Sequence, residues 1–165
     1  RIVRAALRTA TPVPARFGTV FSDEAAVRRS LRARAEVLLQ ALDRVDGRVE
    51  MGVRVLWELP DPPEAPTVST GGRAYLETRR RAIAAEEALR RAANQLLDEV
   101  DGALSLERFA TSRVVLLEAG VAGTLAHLVH RQAFVEYRAA VQRARSAFPS
   151  AELHMTGPWA PYSFV

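Results

Sequence analysis

Apolar residues recur along the chain at two different periods, which predict alternating helices and strands. Ser22, Asp23 and Glu24 supply an N-cap and an acidic first turn. Apolar positions spaced by three and four residues follow, and they predict an amphipathic helix. These positions are Val27, Leu31, Ala35, Leu38, Leu42 and Val45.

A period of two follows Gly47, which stands where a left-handed C-terminal cap is expected. Val49, Met51, Val53, Val55 and Trp57 alternate with polar residues and predict a half-buried strand. The short β-prone segment at residues 15–21, bounded by turn formers, predicts an earlier strand.

Residues 60–72 contain four prolines and end in two glycines, a composition that favours extended, poorly packed chain. We therefore expect a linker at 60–72 between two small α/β domains. The first, residues 1–59, is expected to be the C-terminal part of a truncated domain, because residues 1–7 resemble the end of an element already under way. The second domain is expected at residues 73–165.

The second half predicts helix, strand, strand, helix and strand. A long amphipathic helix is expected at residues 73–100, and the apolar run at residues 114–117 predicts a strand buried on both faces. The strand expected at 124–130 follows a glycine turn, which favours antiparallel pairing. A helix stopped by Pro149 and a strand at 151–155 complete the order. The fold class is therefore α+β, with a ferredoxin-like antiparallel sheet in the second domain.

Composition narrows the function classes. All 23 basic side chains are arginines, but 19 acidic residues are interspersed and the net charge is only +4, so we do not expect nucleic acid as a partner. The absence of cysteine excludes disulfides and thiolate sites and agrees with a cytoplasmic location. No apolar run approaches the roughly 20 residues that span a bilayer, so a lipid membrane is not expected either.

Candidate site chemistry is sparse. His127 and His130 share a predicted strand at an odd spacing, so their side chains point to opposite faces and do not share a metal. Gly71 and Gly72 precede a helix but lack the lysine and glycine pattern of a phosphate loop. No nucleophile elbow or paired carboxylates are present. We expect no metal, no cofactor and no catalytic activity.

The last ten residues, TGPWAPYSFV, combine two prolines, a glycine and three aromatic residues where termini are usually frayed and polar. Prolines lower the entropy lost on docking, and Trp159, Tyr162 and Phe164 offer large areas to bury. Two interpretations follow. The segment is either a clasp over the chain's own core, which we favour, or an epitope for a partner, and Trp159 is expected to decide between them.

This C-terminal segment resembles the signature of the GvpL/GvpF gas-vesicle family, in which two prolines usually follow the tryptophan, and Ala160 stands in place of one of them. Residues 14–21 resemble the family's proline-arginine-phenylalanine-glycine block, and residues 47–55 its glycine-glutamate-glycine strand. Residues 72–76 resemble the opening of its long helix. The motif residues expected to be structural or partner-binding are Arg16, Phe17, Gly18, Glu50, Gly52, Tyr75, Gly157, Pro158, Trp159, Pro161, Tyr162 and Phe164.

The resemblance implies a two-domain protein without enzymatic activity that is needed for gas-vesicle assembly. It further implies chaperone-like binding to the hydrophobic major shell protein, contacts with other gas-vesicle accessory proteins and association with the vesicle wall. The exposed edge of a sheet and the groove beside the long helix are two candidate surfaces, between which the sequence does not choose. The alternative is a purely structural minor component of the wall.

Overall fold

The computed structural model of the chain describes residues 2–16, 18–58, 72–104, 109–118 and 120–165. Helices and strands alternate over most of this range, and a short 3₁₀ turn precedes the last helix. The elements are α1 (Ile2–Ala6), α2 (Glu24–Ala33), α3 (Ala35–Val45), β1 (Arg48–Trp57), α4 (Gly72–Ala103), β2 (Ala110–Glu118), β3 (Val121–His130), α5 (Phe134–Ala147) and β4 (Ala151–Trp159).

In the described part of the chain, the strands form one four-stranded sheet with the order β2-β3-β1-β4. Every neighbouring pair is antiparallel. Val53 of β1 lies opposite Leu125 of β3 on one side and Met155 of β4 on the other. The chain order from β1 onward is β-α-β-β-α-β, so the expected ferredoxin-like α+β architecture is confirmed.

The sheet includes a strand from each side of the expected linker at residues 60–72. Strand β1 precedes that segment, yet it lies between β3 and β4 and pairs with both. The proline-rich composition therefore does not mark a division between two sheets, because composition carries no information about which strands pair across a segment. The division into domains at 1–59 and 73–165 has no counterpart in the strand pairing.

The main core lies between the sheet and helices α4 and α5. The odd-numbered side chains of β1 point into it, as their alternation predicts, and each such burial stabilises the fold by about 1.5–3 kcal/mol relative to exposure. The fully or nearly buried members include Val49, Met51, Val53, Val55, Ala93, Leu97, Val100, Leu125, Tyr137, Val141, Ala144 and Leu153.

A smaller cluster covers part of the opposite sheet face. Leu128 of β3 packs there with Val45 from the end of α3 and with Phe164 from the C-terminal segment. Val13, Ala110 and Ala126 pack against these three residues. The C-terminal segment and the end of α3 therefore meet on the face that α4 and α5 do not cover.

A polar contact joins the sheet to both of its helices inside the main core. His127 is fully buried, whereas His130 is exposed, in agreement with their odd spacing. His127 Nε2 lies 2.9 Å from Asp101 Oδ1 of α4, and its Nδ1 lies 2.6 Å from the Tyr137 hydroxyl of α5. The carboxylate accepts from Nε2–H, and Nδ1 shares a hydrogen bond with the hydroxyl, so both ring nitrogens are satisfied.

The strand predicted at residues 15–21 is wrong. The described residues 15, 16 and 18–21 are irregular, and Thr19 donates both its N–H and its hydroxyl to the carbonyl of Arg16, at 3.1 and 2.6 Å. Gly18 has φ +82°, a left-handed conformation that turns the chain out of an extended path. The β-propensity of Val20 does not prevail because this side chain lies in solvent, 88% exposed, with no sheet to pack on.

The first long helix is present but divided. Asp23 caps α2 by accepting from the Ala26 N–H at 2.6 Å, so the N-cap lies within the predicted segment 22–24. Arg34 then leaves the helical region, with φ −113° and ψ 13°, and α3 begins at the next residue. The apolar period continues across this single residue, and neither proline nor glycine marks it. The sequence therefore gives no signal of the break.

Strand β2 was expected to be buried on both faces, and this is wrong. It lies at one edge of the sheet, and Val114 is 55% exposed. An apolar run predicts burial but does not specify which strand receives a neighbour on both sides.

Among the described residues, no helix is both long and apolar enough to cross a lipid bilayer.

The His127 contact predicts a stability loss when the Tyr137 hydroxyl is removed. Tyr137→Phe deletes a buried hydrogen bond to an imidazole nitrogen, which should cost about 1–3 kcal/mol of unfolding free energy. Urea denaturation measures the loss. Tyr162→Phe, at a half-exposed ring, is the matched control and should change the free energy by less than about 0.5 kcal/mol. Equal midpoints for the two variants would contradict this role of the contact.

Candidate functional site

The C-terminal segment docks on β1 through one motif residue of that strand. The backbone N–H of Ser163 donates to Glu50 Oε2 at 2.7 Å, and the Ser163 hydroxyl donates to Glu50 Oε1 at 3.0 Å. Hydrogen bonds to a charged acceptor are stronger than neutral ones. One carboxylate therefore holds the segment at a separation of 113 residues in the sequence.

Two glycines of the motifs permit the close approach of β4 to β1. A Cβ on Gly52 would lie 2.6 Å from the Thr156 hydroxyl, and a Cβ on Gly157 would lie 2.9 Å from the Glu50 carbonyl. Gly157 also has φ +109°, which side chains larger than hydrogen rarely adopt. The pairing between β1 and β4 shifts register at this point, between Glu50 and Gly52. The bulge in β4 contains the cis peptide bond between Gly157 and Pro158.

Beyond the bulge, the aromatic residues of the C-terminal segment divide between core and solvent. Phe164 is 7% exposed and packs with Val45 and Leu128, whereas Trp159 is 41% exposed and Tyr162 is 51% exposed. The indole N–H of Trp159 donates to the Thr156 hydroxyl at 3.3 Å. The clasp is therefore made by Phe164, together with the buried residues Ala160 and Pro161, and not by Trp159.

The structure brings together the motif residues of β1 and of the C-terminal segment, whereas Arg16, Gly18 and Tyr75 lie away from this contact. Arg16 is exposed and its described hydrogen bonds are to nearby Thr19. Gly18 has open space around it, and Phe17 lies outside the described residues. Tyr75 is 63% exposed near the start of α4. Sequence reasoning missed Ser163, although it lies inside the recognised C-terminal signature.

Helices α2 and α3 present a second kind of surface. Within them only Val45 is buried, although both have strongly segregated apolar and polar faces. Large apolar side chains of these helices lie in solvent, with exposed fractions from 39% to 61%: Leu31, Val37, Leu39 and Leu42. Amphipathic helices normally bury such a face, so these two helices have the composition of an interface.

Within the described residues, no group of three or more His, Asp or Glu side chains is placed to hold a metal ion. The buried His127 is engaged by Asp101 and Tyr137 within the core. The features that distinguish the described surface are thus the docked C-terminal segment and the uncovered helices.

The burial pattern predicts different effects for two truncations in the C-terminal segment. Phe164→Ala removes a buried ring and should cost about 3–5 kcal/mol of unfolding free energy. Trp159→Ala should cost clearly less, because two fifths of this side chain is already in solvent. Thermal and urea unfolding of both variants test this order. A loss for Trp159→Ala as large as that for Phe164→Ala would show that Trp159 belongs to the clasp.

Comparison with known proteins places this geometry in a family. The family model described as gas vesicle synthesis protein GvpL/GvpF matches residues 1–165. Gas vesicle protein L of a Streptomyces species is 34% identical over 181 residues, which cover 99% of this chain and 66% of that protein. Gas vesicle protein F of Haloferax mediterranei is 26% identical over 156 residues, which cover 94% of this chain and 60% of that protein. The chain thus spans less than two thirds of the length of either relative.

Two crystal structures share the fold at low sequence identity. Gas vesicle protein GvpF from an Anabaena species superposes with a TM-score of 0.77 at 18% identity, covering 99% of this chain and 70% of that one. GvpF from Microcystis aeruginosa superposes with a TM-score of 0.70 at 14% identity, and the superposition covers 99% of this chain and 72% of that one. The family match over all 165 residues and the relative at 34% identity lead to one conclusion: the chain belongs to the GvpL/GvpF family of gas vesicle synthesis proteins.

Proposed function

We propose that the chain is a non-enzymatic gas-vesicle assembly factor that binds the hydrophobic major shell protein in a chaperone-like way. The proposal rests on family membership together with one observation, the uncovered apolar side chains of α2 and α3. A shell subunit that polymerises through apolar faces aggregates when free. A partner that covers such a face keeps it available for assembly.

Helices α2 and α3 are the best candidates for this contact, because their three exposed leucines and Val37 are flanked by charges that keep the free surface hydrated. Apolar anchors at helical spacing, surrounded by polar residues, are typical of helix-mediated recognition. The N-terminal half of α4 also exposes Tyr75, Leu76 and Ile83. An experiment must therefore distinguish binding at α4 from binding at α2 and α3.

Co-expression with the major shell protein tests the proposal. The unsubstituted chain should raise the soluble fraction of the shell protein, and the double variant Leu31→Gln with Leu39→Gln should lose most of that effect. Both side chains are more than half exposed, so folding should be affected by less than about 1 kcal/mol in total. The shell protein in supernatant and pellet is quantified across a range of expression ratios.

The matched control is the double variant Leu76→Gln with Ile83→Gln, which removes two exposed apolar side chains from α4. It should retain the solubilising effect. If co-expression of the unsubstituted chain left the amount of shell protein in the pellet unchanged, that result would contradict the chaperone-like function. An effect lost only with the α4 variant would contradict the assignment to α2 and α3. Retention of the chain in washed, purified vesicles without any solubilising effect would favour the structural wall component.

A further inference from the structure

We propose that a cavity between the two ends of the chain binds a peptide segment of a partner protein in which acidic residues flank a large apolar side chain. The cavity has a volume of about 490 Å³ and lies where α1, the start of β1, the start of α5 and the end of β4 meet. It is lined by Arg4, Leu7, Arg8, Val49, Arg131, Phe134, Gly157, Pro158 and Trp159. This site is separate from helices α2 and α3.

The apolar part of the lining fits one large side chain. Val49 and Leu7 are buried at its base, and Phe134, Pro158 and Trp159 provide ring surfaces around it. Its volume falls within the range of about 300–1,000 Å³ that is typical of ligand sites. Trp159 keeps 41% of its surface exposed, although it follows a bulge whose geometry is fixed by Gly157 and β1. A rigidly placed, half-exposed tryptophan is typical of interface anchors.

The remaining lining residues are Gly157 and three arginines, and no lining residue is acidic. Arg131 is fixed by donating to the carbonyl oxygens of Leu7 at 2.6 Å and Ala10 at 3.2 Å. The guanidinium carbon of Arg4 lies 5.6 Å from the centre of the Trp159 ring, within cation–π distance. Among the described residues, no carboxylate lies within ion-pair distance of Arg4 or Arg8. The cavity is therefore positively charged and lacks a counter-ion from the described chain.

This combination determines the chemistry of the occupant. Guanidinium groups pair with carboxylates in bidentate geometry, and the pairing is strengthened next to apolar surface that excludes water. A purely apolar segment would leave the arginines without a carboxylate partner, and a small inorganic anion would leave the ring surfaces empty. A peptide with glutamates on both sides of a phenylalanine satisfies both parts of the lining. Charge complementarity thus selects an acidic, apolar peptide.

The probe is a capped, fluorescently labelled eight-residue peptide that has one phenylalanine between two glutamates in a glycine and serine background. Fluorescence anisotropy should show saturable binding to the chain, which weakens as sodium chloride is raised because added salt screens the charges. Two further peptides complete the set. Replacing both glutamates by glutamine, or the phenylalanine by alanine, should each weaken binding by about tenfold.

The chain offers variants matched in charge. Arg4→Gln with Arg8→Gln should weaken binding of the probe by about tenfold or more, since both side chains line the cavity. Arg138→Gln with Arg143→Gln removes two exposed arginines of α5 that do not line it, and should leave binding unchanged. Thermal unfolding of each variant verifies that the fold is retained.

Several outcomes would overturn the proposal. One is the absence of saturable binding by the probe, and another is equal loss of affinity in the two double variants. If the peptide with both glutamates replaced by glutamine bound as tightly as the probe, the cavity would recognise only the apolar side chain. Displacement of the probe by inorganic phosphate at equal concentration would show a general anion site. Because the probe contains no shell-protein sequence, none of these outcomes depends on whether α2 and α3 bind the shell protein.

Discussion

Strand β1 hydrogen-bonds to β3 along one edge and to β4 along the other, and its side chains contribute to contacts on both faces of the sheet. Its odd-numbered residues form the centre of the core under α4 and α5. Its even-numbered residues include Glu50, which binds the C-terminal segment, and Gly52, against which Thr156 packs. Since these roles belong to alternate positions of one strand, a one-residue slip in its pairing would disrupt all of them together.

The C-terminal segment depends on this strand and in turn covers the second sheet face. Glu50 fixes Ser163, and the next residue, Phe164, packs on Leu128 and on Val45 at the end of α3. Helix α3 is therefore attached to the sheet at its C-terminal end, while most of α2 and α3 remains uncovered. A pair of helices held at one end, with its apolar side chains in solvent, supports our proposal that these helices receive an apolar partner.

Much of this fold could be predicted from the sequence, because periodicity and caps are local signals. The alternation in β1, an N-cap within residues 22–24 and the left-handed glycine at position 47 agree with the predictions. Local signals fail where pairing decides the outcome. They suggested a strand at residues 15–21 and a doubly buried β2. No local feature of β1 indicates that it pairs with strands that follow residues 60–72.

The candidate site residues, like the fold, could be predicted only in part from the sequence. The motif resemblance selected Glu50, Gly157 and Trp159, and the structure joins them at one end of the sheet, but the aromatic residue that it buries in the core is Phe164 and not Trp159. Both are large aromatic residues in one short segment, and only the position of the bulge determines which of them reaches the core. The arginines around the cavity come from α1, from the turn that follows it and from the turn after β3, and no motif connects them.

The central claim is that α2 and α3 form the surface that binds the shell protein. Hydrogen–deuterium exchange, compared between the free chain and its co-purified complex with the shell protein, tests it most directly. We predict slower exchange in the complex at residues 24–33 and 35–45, because a bound partner suppresses local opening of these helices. Unchanged exchange in α2 and α3, with slowing confined to α4 or to the edge strands β2 and β4, would contradict the claim.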